Sequence, residues 1–261
     1  MWPYPKIVAH RGGGSLAPEN TIAAMRCGLA HGFRAVEFDV MLSRDGIPIL
    51  MHDENLGRTA KGEGRICDWD ASHLAMLDAG SWFGPAFAGE LVPRFEEVIR
   101  FCRTNAIWMN VEIKPVPGFE EATGRIAALM VRRLFGTDSD PGKSTLHNPH
   151  WPLLSSFSFE ALMAAKSATP ELARGFLIDA IPPDWQTRLH NLGAIALHTN
   201  HLNLTEELAR AVKDAGFGLF CYTVNSTERA KQLLAWGVDG FCTDQIDLIG
   251  PHFGNRLPAA I

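Results

Sequence analysis

Several things are missing from this sequence, and each absence narrows what the chain can be. No stretch of its 261 residues is long and apolar enough to cross a membrane. The opening MWPYPKIVAH carries no basic segment leading into an apolar run, so no leader or membrane anchor is expected and the chain reads as cytoplasmic. Cysteine is sparse: Cys27, Cys67, Cys102, Cys221 and Cys242 are odd in number, widely spaced and contain no C-x-x-C pair. That argues against a disulfide framework or a zinc ribbon, and four of the five sit in apolar runs as small buried hydrophobes. Lysine and arginine form no block and the net charge is −5, which argues against a general nucleic-acid binder. A local cationic pocket for a small anion remains compatible with that balance. No G-x-G-x-x-G follows a strand, which removes the main support for a doubly wound nucleotide fold.

What is present is a core-forming composition, 46% hydrophobic, on a length that suits one closed (β/α) barrel. The chain is organised around IVAHRGGGSLAPEN, residues 7–20. A short apolar strand ends at His10-Arg11, with three glycines behind it. Glycine allows unusual backbone dihedrals and close approach of a ligand. A helix follows, capped by Asn20 or Thr21, with Ile22, Met25 and Leu29 on its apolar face. In the next strand, 35–41, alternation puts Glu37 and Asp39 on one face and Val36, Phe38 and Val40 on the other. Two neighbouring carboxylates repel, so they need a cation between them or one must hold a proton.

The turn signal LSRDG and the run IPILMHD read as a hairpin returning on that strand. A turn centred between Arg44 and Asp45 would set His52 opposite Glu37, and a slip of one residue would turn it away. Residues 54–93 break the periodicity. They are glycine-rich, hold Trp69, Trp82 and Phe83, and are expected to form an inserted lobe that covers the site and governs substrate choice. After a helix over 95–104, the strand IWMNVEIK sets Asn110, Glu112 and Lys114 on one face. A helix over 120–135 and a Gly/Pro/Ser-rich loop up to 152 come next. The rest repeats strand and helix: strands over 153–157, 174–178, 194–198, 218–224 and 240–243, with helices between them. Leaving out the hairpin return, about eight strands alternate with helices, the count of a (β/α)8 TIM barrel spanning residues 1–261.

In such a barrel the strand C-termini share one rim. That rim would gather His10, Arg11, Glu37, Asp39, His52, Glu112 and Lys114. Three carboxylates offer hard oxygen ligands for Mg2+ or Ca2+. Arg11 and Lys114 suit a phosphate, and two histidines suit a proton donor and acceptor. Read instead as ordinary salt bridges, Glu37 or Asp39 would pair with Arg11, and Glu112 with Lys114. His198, Phe157 and Tyr222 also end strands and are expected at the edge of the site or in the core.

These residues fall in motifs that resemble the glycerophosphodiester phosphodiesterases. The matching motifs are HRGG with PENT, EFDV, SRDG followed by HD, the Arg58-Thr59 pair, DAGSWF, VEIKP, SSF, YTVN and GVDGFCTD. They span nearly the whole chain and resemble most the short cytosolic bacterial members. The resemblance implies a (β/α)8 barrel with a segment inserted after the second strand. It implies hydrolysis of glycerophosphodiesters to glycerol 3-phosphate and an alcohol with a divalent cation. It further implies Glu37, Asp39 and Glu112 as metal ligands, His10 and His52 as acid and base, and Arg11 and Lys114 as phosphate holders. Which histidine gives the proton, and whether water or a glycerol hydroxyl attacks, stays open. A lysophospholipid substrate or a non-catalytic binder of polyol phosphates are the alternatives.

Overall fold

Short apolar runs alternate with amphipathic ones along the chain, and each pair becomes a strand followed by a helix. The computed structural model describes residues 2–136 and 148–253. In order the elements are β1 (Ile7–Ala9), α1 (Ile22–Ala30), β2 (Ala35–Leu42), β3 (Pro48–Leu50), α2 (Ala71–Leu74), α3 (Phe95–Thr104), β4 (Trp108–Ile113), α4 (Glu120–Phe135), β5 (Leu153–Ser156), α5 (Phe159–Ala168), β6 (Ala173–Ile178), α6 (Trp185–Leu192), β7 (Ala196–Asn200), α7 (Glu206–Asp214), β8 (Gly218–Tyr222), α8 (Thr227–Ala235) and β9 (Gly240–Thr243). Most of the glycine- and proline-rich loop expected before residue 152 lies outside the described residues.

Eight strands run parallel, and the pairing of β1 with both β2 and β9 closes the sheet into a (β/α)8 barrel. β3 is the antiparallel return strand on β2. Serine or threonine hydroxyls start four of the helices: Thr21, Ser158, Thr205 and Ser226 each accept from a first-turn amide of α1, α5, α7 and α8. So Thr21, not Asn20, caps α1. No helix among the described residues is long and apolar enough to cross a membrane.

The period-two alternation of the strands builds two cores. Val36, Phe38, Val40, Val111 and Ile113 face outward and pack under the helices with Phe95, Val98 and Ile99. The opposite face lines the barrel interior and changes character along its axis. At the bottom it is apolar: Ala35, Trp108, Leu153, Ala173 and Phe220 meet Tyr4, which stacks on Trp108 at 4.7 Å. Two residues further along the same strands the interior turns polar, with Glu37 beside Asn110 and then Asp39 beside Glu112 and Ser155. A third apolar cluster joins Met41, Ile49 and Met51 to Ile66, Leu74, Ala79 and Val92 from residues 54–93.

Two differences from expectation bear on the site. β7 begins at Ala196, not Ala194. Gly193 ends α6 in the left-handed region at φ 57°, and the Ala194 amide still bonds back to Leu189. His198 therefore lies inside β7, pointing into the barrel where Gly175 leaves room: a Cβ there would stand 2.5 Å from the imidazole. The hairpin register is also one residue off, pairing Val40 with Leu50.

Candidate active site

The polar layer of the barrel opens at the strand C-termini into a cavity of about 250 Å³. All seven residues singled out in the sequence line it, together with Asn110, Leu177, His198, Phe220 and the strand-end aromatics Phe157 and Tyr222. A larger groove, about 1160 Å³, runs between α4 and α5. It holds no comparable cluster: among the described residues, one group of three or more His, Cys, Asp or Glu side chains could hold a metal, namely Glu37, Asp39 and Glu112.

Those three offer ligand atoms within 4.8 Å of one another. Their charge states diverge. Burial, then the charges of Asp39 and Glu112, push the Glu37 carboxyl well above the usual carboxylate range. Burial and Asp39 also raise Glu112, to about 8. Burial works the same way on Asp39, but Lys114, Arg11, His52 and a hydrogen bond from Asn20 outweigh it and leave its pKa lowered. Glu37 Oε1 is buried without a hydrogen-bond partner. Three carboxylates crowded together, one with an orphaned oxygen, fit a hard divalent cation.

The loop after β1 wraps this cluster. Arg11 sits in the left-handed region at φ 51° and donates its backbone N–H to Glu37 Oε2 at 3.1 Å. Its Nε lies 3.7 Å from Asp39 Oδ2, and Lys114 Nζ lies 3.7 Å from Asp39 Oδ1. Lys114 thus faces Asp39, not Glu112 as a local salt bridge would have it. Asn20, also at positive φ, clamps Asp39 from both sides: its Nδ2 donates to Oδ2 and its Oδ1 accepts from the Asp39 amide. The glycines behind His10 serve the loop's own packing. A Cβ on Gly14, at φ 53°, would stand 2.2 Å from the Asp244 carbonyl.

Each histidine rests on an aspartate. His10 Nδ1 is 2.6 Å from Asp244 Oδ1, and His52 Nδ1 is 2.7 Å from Asp53 Oδ1. Asp53 is held at about 2, chiefly by its bond from Arg58, and Asp244 is lowered because bonds from His10 and Asn225 and nearby positive charge outweigh burial. Both are carboxylates, so each accepts from an Nδ1–H and leaves Nε2 as the exchangeable nitrogen. His10 Nε2 is 3.7 Å from Glu37 Oε2. His52 lines the cavity despite the shifted hairpin register, because β3 stops at Leu50 and the chain bends at His52. Beyond the strand end, alternation no longer decides where a side chain points.

Four residues around the site make contacts that sequence reasoning did not give them: Asp244 with His10, Asn20 with Asp39, Glu19 with Arg11, and Arg58 with Asp53. Asp244 follows β9, so applying the rim rule to the last strand would have found it. Asn20 looked like a helix cap. Glu19 and Arg58 lay inside quoted motifs without a role. Conversely, Trp82 and Phe83 do not line the cavity. Asp78 ties their turn together by accepting from Gly80, Ser81 and Gly89, and Phe83 packs on Trp82 and Phe87.

Known proteins share this architecture. The glycerophosphoryl diester phosphodiesterase family matches residues 10–248 of the chain. A glycerophosphodiester phosphodiesterase from Caldanaerobacter subterraneus is 32% identical over 243 residues, covering 91% of this chain and 93% of its own. One from Bacillus subtilis is 32% identical, covering 92% and 84%. Among solved structures, a phosphodiesterase from Oleispira antarctica in complex with the product sn-glycerol-3-phosphate superposes with a TM-score of 0.82 at 36% identity, over 92% of this chain and 93% of its own. A family match across nearly the whole chain, on a closed barrel whose rim gathers acidic, basic and imidazole groups, leads to one conclusion: the chain belongs to the glycerophosphoryl diester phosphodiesterase family and is an enzyme of that class.

Proposed function

We propose that the chain hydrolyses glycerophosphodiesters to sn-glycerol 3-phosphate and an alcohol, using a divalent cation, Mg2+ or Ca2+, held by Glu37, Asp39 and Glu112. The observation that carries this reading is the convergence, in one cavity, of three crowded carboxylates with two aspartate-backed histidines. When bound, such a cation would supply positive charge against the anionic phosphate and make the attacking hydroxyl more acidic. The chain's own groups do the rest. Arg11 and Lys114 hold the phosphate oxygens. One imidazole takes the proton of the attacking hydroxyl at Nε2. The other, protonated, gives its Nε2 proton to the alcohol oxygen as the old P–O bond breaks. Asp244 and Asp53 keep both rings in the tautomer this requires. Leu177, Phe157 and Tyr222 wall the cavity where the organic part of the substrate would sit.

The Oleispira protein, with sn-glycerol-3-phosphate bound, supports the choice of product. The test is direct. Purified protein is incubated with several glycerophosphodiesters, with and without chelator, and glycerol 3-phosphate is assayed enzymatically. Metal-dependent release is expected. No release from any of them would overturn the reading.

A further inference from the structure

An unbroken chain of charged pairs joins the Arg11 side of the cavity to the His52 side. Arg11 Nη1 donates to Glu19 Oε1 at 2.7 Å. Glu19 accepts again from Arg58, Oε2 from Nη1 at 2.7 Å and Oε1 from Nη2 at 2.8 Å. Arg58 Nε donates to Asp53 Oδ2 at 2.5 Å, and Asp53 Oδ1 takes the Nδ1 proton of His52 at 2.7 Å. The ends of the chain, Arg11 and His52, line the cavity; Glu19, Arg58 and Asp53 do not, and Arg58 and Asp53 instead line an adjoining groove that shares His52 and Lys114. Resting on the phosphodiesterase reading above, we propose that Glu19 and Arg58 are positioning residues, locking the phosphate-holding Arg11 and the Asp53–His52 pair into one rigid unit across the cavity mouth.

The chemistry of the pairs supports this. The guanidinium of Arg58 is planar and presents its donors in a fixed fork. Here the fork spends two donors on Glu19 and a third on Asp53, so one plane sets the orientation of both carboxylates. Asp53 then has one free choice left, the His52 ring, whose tautomer and angle it fixes. Glu19 stays ionised: burial would raise its pKa, but Arg58 and Arg11 together bring it below the usual value. Signs alternate from Arg11 to Asp53, so no link is left uncompensated. Arg58 is 45% exposed and Asp53 31%, so the single bond between them is screened by solvent and adds little to folding. The chain also ties residues 54–93 to the site through Arg58, whereas Trp82 and Phe83 do not line the cavity.

The test uses the full-length, metal-loaded protein with glycerophosphocholine and with bis(p-nitrophenyl) phosphate. Arg58→Ala should lower kcat on glycerophosphocholine by about tenfold or more, the scale seen when an orienting partner is removed. KM and the melting temperature should stay near their original values. Guanidinium ion at millimolar concentration should restore part of the lost rate, and Arg58→Lys should retain part of it; loss of mere bulk would respond to neither. Glu19→Gln should raise KM as well as lower kcat, because it also releases Arg11. Arg58→Ala combined with Asp53→Asn should be no worse than the poorer single variant, as for residues acting as a unit. Unchanged kcat in Arg58→Ala would overturn the proposal, as would a loss that tracks lost folded protein and ignores guanidinium. Should Arg58→Ala not fold, Arg58→Lys decides: full activity overturns the proposal, partial activity with an unchanged melting temperature supports it. His52→Ala separates the two levels of inference. If it is inactive while Arg58→Ala is unaffected, only the positioning role falls. If His52→Ala turns over normally, the proton role assigned to His52 falls, and the positioning role with it.

Discussion

Strands β1, β2 and β4 share one closed sheet with strands β5 to β9, yet the two arcs carry different chemistry. The first arc, with the hairpin end at His52, supplies every carboxylate of the acidic cluster, both aspartate-backed histidines and both cations of the cavity. The second supplies walls and floor, Leu177, Phe220, Tyr222 and the buried His198, whose pKa burial lowers to about 3 and which is therefore neutral. Its one charged contribution to the proposed machinery is Asp244, which reaches across the β9–β1 seam to His10. Equal strands thus divide the work: one arc holds charge, the other holds shape and orients a single ring. Charges must lie within a few ångströms of one another to act as a unit, which favours adjacent strands. A wall needs only area.

The comparison can be broken at several points. The largest effect is expected in the first arc: chelation, or Glu112→Gln, should reduce turnover of glycerophosphodiesters by roughly a thousandfold, the several kcal/mol a metal supplies to charge stabilisation. Full activity after confirmed metal removal would place the essential charge elsewhere. Next, His10→Ala and His52→Ala should each lower kcat by about a hundredfold or more while metal binding, followed by calorimetry, survives. A nitrophenyl phosphodiester should rescue one of the two variants, the one that lost the acid. Equal defects on both substrate types would make the histidines substrate holders.

From the second arc, Asp244→Asn should cost roughly ten- to hundredfold in kcat, because His10 loses the acceptor that fixes its tautomer. An unchanged kcat would confine the second arc to shape alone. A comparable change is expected in metal affinity with pH. With its pKa raised to about 8, Glu112 holds a proton in the metal-free protein at neutral pH, and Glu37 is raised in the same direction. Metal must displace those protons, so affinity should fall as pH drops below about 8, by about tenfold per unit for each proton released. Titration calorimetry in buffers of differing ionisation enthalpy would count them, and an affinity flat with pH would mean the carboxyls are already ionised. The smallest effect belongs to the wall. Phe157 is 49% exposed and packs edge-on against Tyr222. Phe157→Ala should raise KM severalfold with kcat nearly unchanged and shift stability by only about 0.5 kcal/mol, as surface substitutions do. A kcat loss matching that of the histidine variants would show that the wall takes part in the chemistry.

Much of this was legible along the chain. Period-two alternation placed Glu37 with Asp39 and Asn110 with Glu112 on inward faces, because a strand's pleat makes facing a local property. The alternation of strand and helix gave the barrel, and the barrel gave the rim that gathers His10, Arg11 and Lys114. Where the chain leaves regular structure, that logic stops. His52 enters the cavity from just past a strand end, in a register one residue away from the expected one. Asn20 turns inward on a left-handed backbone to clamp Asp39 when its motif suggested only a cap. Trp82 and Phe83, expected over the site, do not line its cavity and pack edge-on against each other.

The sequence by itself determined the order of elements, the closed barrel, the family and the kinds of groups at the rim, since each follows from short-range periodicity or from motifs. The tertiary structure alone decided who touches whom among those groups. It set Asp244 against His10 across 234 positions, gave Lys114 to Asp39 and not to Glu112, and ran one line of ion pairs from Arg11 through Glu19 and Arg58 to His52. Such contacts depend on barrel closure and on loop paths. Their energies act over a few ångströms in space, whatever the separation along the chain.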